Sequence, residues 1–380
     1  MVLLLALIAP TQAAASGCAR LWIPMAEHQE TSCLDDLTTA GTVASGHTVQ
    51  ADWAGLTHAG LPQQSGVPGI QIDGYFPDTS RTNANHDWNH DSQFVLRLPS
   101  RWNGGLVITG SPGNRRQYAN DRAISDFVLS KGYAFAATDK GNTGLAFYED
   151  GSRPGDAIVE WNKRVTQLAI AAKAVVAQRY GRLPDTTLAA GISNGGYLVR
   201  WQLENNPWLF DGGVDWEGTL WRADDHNLLT FLPPILRGEM DALPAESAFL
   251  WPYHKQVYWD LTQRIYRTEL DPTYTGEESA YDYASRPGAK AAVARIALTG
   301  RITRPLITLH GTLDSLLPIT ESSDIYATMV ESQGRGRLHE YLRVENGNHV
   351  DGLVDQYPTQ LEPMGPHFHE AFEQMEHRLR

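Results

Sequence analysis

Cysteine is nearly absent: the chain of 380 residues holds two, Cys18 and Cys33, both near its N-terminus. A dense disulfide framework is thereby excluded, and a chain of this length buries enough surface to need neither one nor a structural metal. Basic residues are also in short supply. Lys and Arg number 31 against 44 Asp and Glu, a formal net charge of -13. No basic stripe is left to neutralise phosphates, so no nucleic-acid partner is expected. No run of about twenty apolar residues occurs, which excludes a permanent membrane span. The chain lacks a His-Glu-x-x-His helix, a Walker loop and a dinucleotide glycine fingerprint, so neither a metal nor a cofactor is expected. Internal repeats and low-complexity tracts are missing too.

What is present begins at the N-terminus. Met1–Pro10 is an apolar run, and Thr11–Ser16 supplies the small residues that precede signal cleavage, although no Lys or Arg precedes the run. Residues 1–16 therefore read as a signal peptide and the protein as secreted. An even cysteine count in an oxidising compartment points to a Cys18–Cys33 disulfide. A rival reading takes Ala15–Cys18 as a lipoprotein box, with lipid on Cys18 and Cys33 free.

Residues 17–65 carry little periodicity and read as an N-terminal extension wrapped over the domain. Strand and helix signals then alternate. Strands are expected at 69–76, 93–98, 105–109, 133–138, 187–191 and 210–215, and helices at 120–131 and about 197–205. The clearest helix follows Asp156, its expected N-cap. Trp161, Val165, Leu168, Ala172 and Val175 form its apolar stripe, and Gly181 ends it. Alternation stops at residues 217–300, rich in Trp, Tyr, Leu and Pro, where a helix is expected from Tyr253 to Leu270. It resumes with strands at 305–309 and 339–344 and helices near 320–333 and from about Pro366. The pattern predicts an α/β fold with a mostly parallel sheet and helices on both faces. The expected core spans 66–216 and 301–380, with 217–300 as an aromatic-rich lid.

The chemistry-bearing motif is Gly191-Ile192-Ser193-Asn194-Gly195, at the end of an expected strand and the start of an expected helix. A serine hydroxyl needs a base to take its proton and a sharp turn to present its oxygen, and the glycines supply the turn. An acid is expected after a later strand, at Asp314, with Asp215 and Glu217 beside Trp216 as rivals. The base is expected last, at His349 after the final strand, ahead of His367 and His369. Ser193, Asp314 and His349 stand in the chain order of an α/β-hydrolase triad. The oxyanion hole is expected from the amides of Asn194 and Ser111, with Gly113 in reserve because Pro112 has no N–H. Trp216 and Trp221 are expected against the substrate, in a lid that also offers Trp251, Tyr253 and Trp259. Asp139, Lys140 and Asn142 lie at a strand end where α/β ligands bind.

These turns resemble the α/β-hydrolase superfamily over residues 66–380. Trp102-Asn-Gly-Gly-Leu-Val, Gly132–Asp139 with Gly141 and Gly144, and Ser193-Asn-Gly-Gly196 resemble the tannase and feruloyl-esterase group. The last is also similar to the turn of secreted hydroxybutyrate-oligomer hydrolases. Tannase-type enzymes join a cysteine beside the serine to one beside the histidine, whereas Ile192 and Val350 stand in those places here. The resemblance implies a carboxylic ester hydrolase acting on a small or oligomeric ester. The rival readings are a hydroxyalkanoate-oligomer depolymerase, a serine peptidase and a non-catalytic binding protein.

Overall fold

Short apolar runs bounded by glycine-rich turns become strands buried on both faces, as a sheet covered by helices on either side requires. The computed structural model describes residues 18–380, so the expected signal segment at 1–16 lies outside the described residues. Among the described residues the strands are β1 (His28–Leu34), β2 (Gly69–Tyr75), β3 (Gln93–Pro99), β4 (Gly105–Gly110), β5 (Ala134–Thr138), β6 (Thr186–Ile192), β7 (Gly212–Trp216), β8 (Leu306–Gly311) and β9 (His339–Val344). They form one sheet in the order β1-β2-β3-β5-β4-β6-β7-β8-β9. The first three and the β3–β5 pair are antiparallel, and every pairing from β5 through β4 to β9 is parallel. The order turns back at β4, and the strand ends beyond that point carry the site.

The helices are α1 (Thr39–Ala44), α2 (Asp126–Ser130), α3 (Asp156–Tyr180), α4 (Asn194–Asn205), α5 (Leu228–Leu236), α6 (Trp251–Val257), α7 (Trp259–Leu270), α8 (Pro287–Ala294), α9 (Ser323–Ser332) and α10 (Met364–Leu379). The expected stripe of α3 is buried throughout. Its N-cap, however, is Gly155 and not Asp156. The Asp156 carboxylate instead accepts the amides of Ser152 at 3.1 Å and Arg153 at 2.9 Å and pairs with Arg295. Gly181 closes the helix in the left-handed conformation, φ 76°.

Three local departures have physical causes. The helix expected at 120–131 opens with a wide turn over Asp121–Ser125 before α2. The helix expected from Tyr253 to Leu270 breaks at Tyr258 (φ -128°, ψ -59°) into α6 and α7. Residues 17–65 do more than wrap: they add β1 to the sheet edge, and a disulfide joins Cys18 to Cys33 within that strand. Helices α5 to α8 lie between β7 and β8 and pack through Trp221, Leu229, Leu232 and Tyr266 onto the core that α3 and α4 share. Helix α10 covers the opposite face through Phe368, Phe372 and Met375. Among the described residues no helix is long and apolar enough to cross a membrane.

Candidate active site

Strand β6 passes into α4 through Ser193, which is held at φ 58° and ψ -118°. Such a backbone costs a non-glycine residue on the order of 1–3 kcal/mol and persists only where neighbours enforce it. The enforcement is visible: the Ser193 amide donates to the Trp216 carbonyl at 2.9 Å, and the Ser193 carbonyl accepts from Thr219 at 3.2 Å. A Cβ on Gly195 would lie 2.5 Å from the Gly110 carbonyl oxygen, and one on Gly191 would lie 2.4 Å from Gly195. Both glycines are therefore required by close backbone approach.

Asp314 occupies the turn after β8. Its Oδ1 accepts the amides of Leu316 at 2.7 Å and Leu317 at 2.9 Å, and its Oδ2 meets His310 Nε2 at 3.2 Å. His349, in the loop after β9, donates from Nδ1 to Asp314 Oδ2 at 2.7 Å. The same nitrogen lies 3.0 Å from Glu217 Oε2. Both carboxylates are fully buried. Burial would lower the imidazole's pKa, but the Asp314 charge and hydrogen bond, with Glu217 behind them, push it up. Burial likewise works against ionised Asp314, and the two histidines outweigh it, holding the carboxyl below the usual carboxylate range. Glu217 goes the other way, because burial and the Asp314 charge push it well up.

A cavity of about 330 Å³ opens above Ser193, and Asn194, Asn348 and His349 line it with Tyr253 and His254 of α6, Tyr258 at the break and Tyr266 of α7. Ser193 and His349 both line this cavity, and among the described residues no hydrogen bond joins their side chains. His254 is 3 % exposed, and neither ring nitrogen has a partner. Leu56, from the N-terminal extension, also lines the cavity.

Several residues sit elsewhere than expected. The Ser111 amide is engaged by the Thr138 carbonyl at 3.0 Å, because the chain still pairs with β5 there, and so cannot serve an oxyanion. Gly113 lines the cavity two residues on, next to Asn194, whose Nδ2 donates to the Gly113 carbonyl at 3.0 Å. Trp216 and Trp221 are wholly buried and do not line the cavity. Trp216 packs on Phe368 and donates from Nε1 to the His349 carbonyl at 3.2 Å, while Trp221 packs on Tyr266. Trp259 is buried too, its Nε1 donating to the Ser315 carbonyl at 2.8 Å beside the acid.

The remaining candidates have structural duties. Asp215 is tied to Arg200 at 2.5 Å and Thr308 at 2.9 Å. Lys140 Nζ reaches Ser111 Oγ at 2.6 Å behind the cavity, Asp139 accepts from Asn83, and Asn142 accepts from Trp161. His367 pairs with Glu362, and His369 stacks on Phe127. One imidazole nitrogen and two carboxylate oxygens, from His349, Asp314 and Glu217, thus lie within 4.8 Å of one another. Sequence reasoning missed His254 and Leu56 altogether, since nothing local marks a histidine or leucine that faces a cavity.

The mostly parallel sheet, the strained serine turn and the cavity at the strand ends together define the α/β-hydrolase fold. Two solved structures from Aspergillus oryzae share this fold. Feruloyl esterase B has 13% identity and a TM-score of 0.54, covering 78% of each chain. An esterase from the same organism has 11% identity and a TM-score of 0.54, covering 87% of this chain and 81% of its own. The rice cell wall degrading esterase LipA from Xanthomonas oryzae has 13% identity and a TM-score of 0.51, covering 92% of this chain and 98% of its own. At such identities the likeness is one of fold. Residues 79–213, about a third of the chain, match the family described as "Tannase and feruloyl esterase". No curated protein sequence matches the chain significantly. Both likenesses are to carboxylic ester hydrolases, and the expectation of such an enzyme on this fold stands with them.

Proposed function

We propose that the chain is a secreted serine esterase that cleaves a small carboxylic ester through a Ser193–His349–Asp314 triad. The observation that carries this reading is the 2.7 Å bond from His349 Nδ1 to Asp314, made behind a cavity that Ser193 and His349 both line. Asp314 fixes the tautomer, so that Nε2 is the basic nitrogen. His349 takes the Ser193 proton as the oxygen attacks the ester carbonyl. The amides of Asn194 and Gly113 receive the oxyanion, the alcohol leaves with the proton from His349, and water releases the acid by the reverse steps.

The cavity volume suits a small ester better than a polymer strand. His254 brings to the wall two ring nitrogens without a partner among the described residues, which suits an acyl or alcohol group bearing a hydroxyl, as in a ferulate ester. Arg115 supports a second reading: it lines the cavity and bonds only to the Asp52 carbonyl, at 2.9 Å, an arrangement suited to the terminal carboxylate of a hydroxyalkanoate oligomer. Rates on ethyl ferulate and on hydroxybutyrate oligomers separate the two. Secretion rests on the N-terminal apolar run and accords with the disulfide.

The triad is tested by pre-steady-state hydrolysis of a p-nitrophenyl ester. A burst is expected from the acyl-enzyme, together with fluorophosphonate labelling that Ser193→Ala abolishes. An unchanged steady-state rate in Ser193→Ala refutes the mechanism.

A further inference from the structure

One buried acid is left over by the triad. Glu217, just after β7, is held at φ 53°, a backbone conformation that side chains beyond glycine rarely adopt. Its amide is bonded to the Leu309 carbonyl at 2.9 Å, and its Oε1 accepts the Gly311 amide at 2.7 Å. These contacts fix Oε2 at 3.0 Å from His349 Nδ1, the atom that already donates to Asp314 at 2.7 Å. Nδ1 has one proton. It goes to the nearer acceptor, and Glu217 Oε2 is left without a hydrogen-bond partner in a fully buried place.

With His349 neutral, as the base must be, two ionised carboxylates would then share a site closed to water. Like charges so placed cannot both persist, so one carboxyl keeps a proton. The hydrogen bonds say which. Asp314 accepts from the Leu316 and Leu317 amides and from His349, with His310 Nε2 at 3.2 Å shared with the nearer Leu317 carbonyl at 2.9 Å, whereas among the described residues Glu217 accepts from the Gly311 amide alone. The charge belongs on Asp314.

We infer that Glu217 is a positioning residue held as a neutral carboxylic acid, whose Oε2–H donates to the Asp314 carboxylate and makes the triad a four-membered relay. This rests on the esterase reading above. Its effect is to hold Asp314 against Nδ1, while the Leu316 and Leu317 amides hold the other carboxylate oxygen. The Glu217 proton stays in place throughout turnover: the mobile proton passes from Ser193 to Nε2 and on to the leaving alcohol. The titratable groups around Glu217 are Asp314 and His349, with His310 on β8 and His254 on α6 beyond them.

The test is infrared difference spectroscopy of the wild-type enzyme at pH 7, fluorophosphonate-labelled minus free. A carbonyl band of a protonated carboxyl that shifts in D2O and responds to labelling is expected, and it should vanish in Glu217→Gln. Glu217→Gln, which keeps a donor, should lower kcat by under about tenfold and leave the acid limb of the pH profile in place. Glu217→Ala should lower kcat by roughly a hundredfold. Labelling without any such band, or an acid limb that falls by about one pH unit or more in Glu217→Gln, overturns the inference, because Glu217 would then be ionised. Failure to label at all falls on the Ser193 assignment instead.

Discussion

At the scale of the residue, His254 is the side chain whose surroundings contrast most with its chemistry. Burial lowers its pKa to about 4, so it is neutral at pH 7 and presents one donor and one acceptor to the cavity. A buried polar group without a partner costs roughly 1–3 kcal/mol, a cost that substrate relieves by bonding to it. His254→Leu is therefore expected to stabilise the fold by about 1 kcal/mol while raising KM roughly tenfold for an ester that carries a hydroxyl. An unsubstituted ester of similar size should lose much less. Thermal denaturation and the ratio of the two KM changes check this, and equal losses on both esters would deny His254 any polar contact with substrate.

At the scale of the element, the edge strand β1 is the part most dependent on a covalent tie. The disulfide closes a loop of 15 residues onto it, and a loop of that size is worth up to about 3 kcal/mol. Reduction, or Cys18→Ala with Cys33→Ala, is expected to lower stability by about 2–3 kcal/mol in urea titration, with activity at low temperature largely kept. Elements of this kind also divide what the sequence reveals from what it hides. The stripe on α3, the short buried strands and the strand–turn–helix at Ser193 follow from local periodicity, so they are legible. Local pattern does not say which face a strand residue takes or where a strand's pairing ends. Trp216 and Trp221 therefore read as substrate contacts although they point into the core, and the Ser111 amide reads as free although β5 holds it. Asp314 and His349 are legible because each follows a strand in chain order. That Glu217 crowds the same imidazole is a matter of strand order, β7 beside β8, which no run of residues encodes.

At the scale of the whole molecule, stability should follow an unusual pH course. Burial raises several carboxyls: Asp52 and Asp126 to about 6, Asp139 to about 7, and Glu160 and Glu269 to about 8. The folded chain thus holds protons that the unfolded chain has released, and stability drops as pH rises through these values. Buried His254, His339 and His369, lowered to about 4, 3 and 4, act in the opposite sense, but only below the ordinary histidine range. Between about pH 6.5 and 8, Asp139, Glu160 and Glu269, helped by His349 whose raised pKa has the same sign, outweigh Lys140, which burial lowers to about 7 and which acts against them above that value. Tm is expected to decline across that interval at constant ionic strength. A flat or rising Tm would show that these carboxyls ionise in place.

The contact of Leu56 with the cavity joins parts of the chain that are far apart in sequence. The Asp351 amide donates to the Leu56 carbonyl at 3.2 Å, and the Ala59 amide to Asp355 Oδ2 at 2.8 Å. A segment 296 residues upstream thereby buttresses the loop that carries His349. Neither can complete the cavity wall alone. On the proposed mechanism, the base is thus held in place by a segment that takes no part in the chemistry.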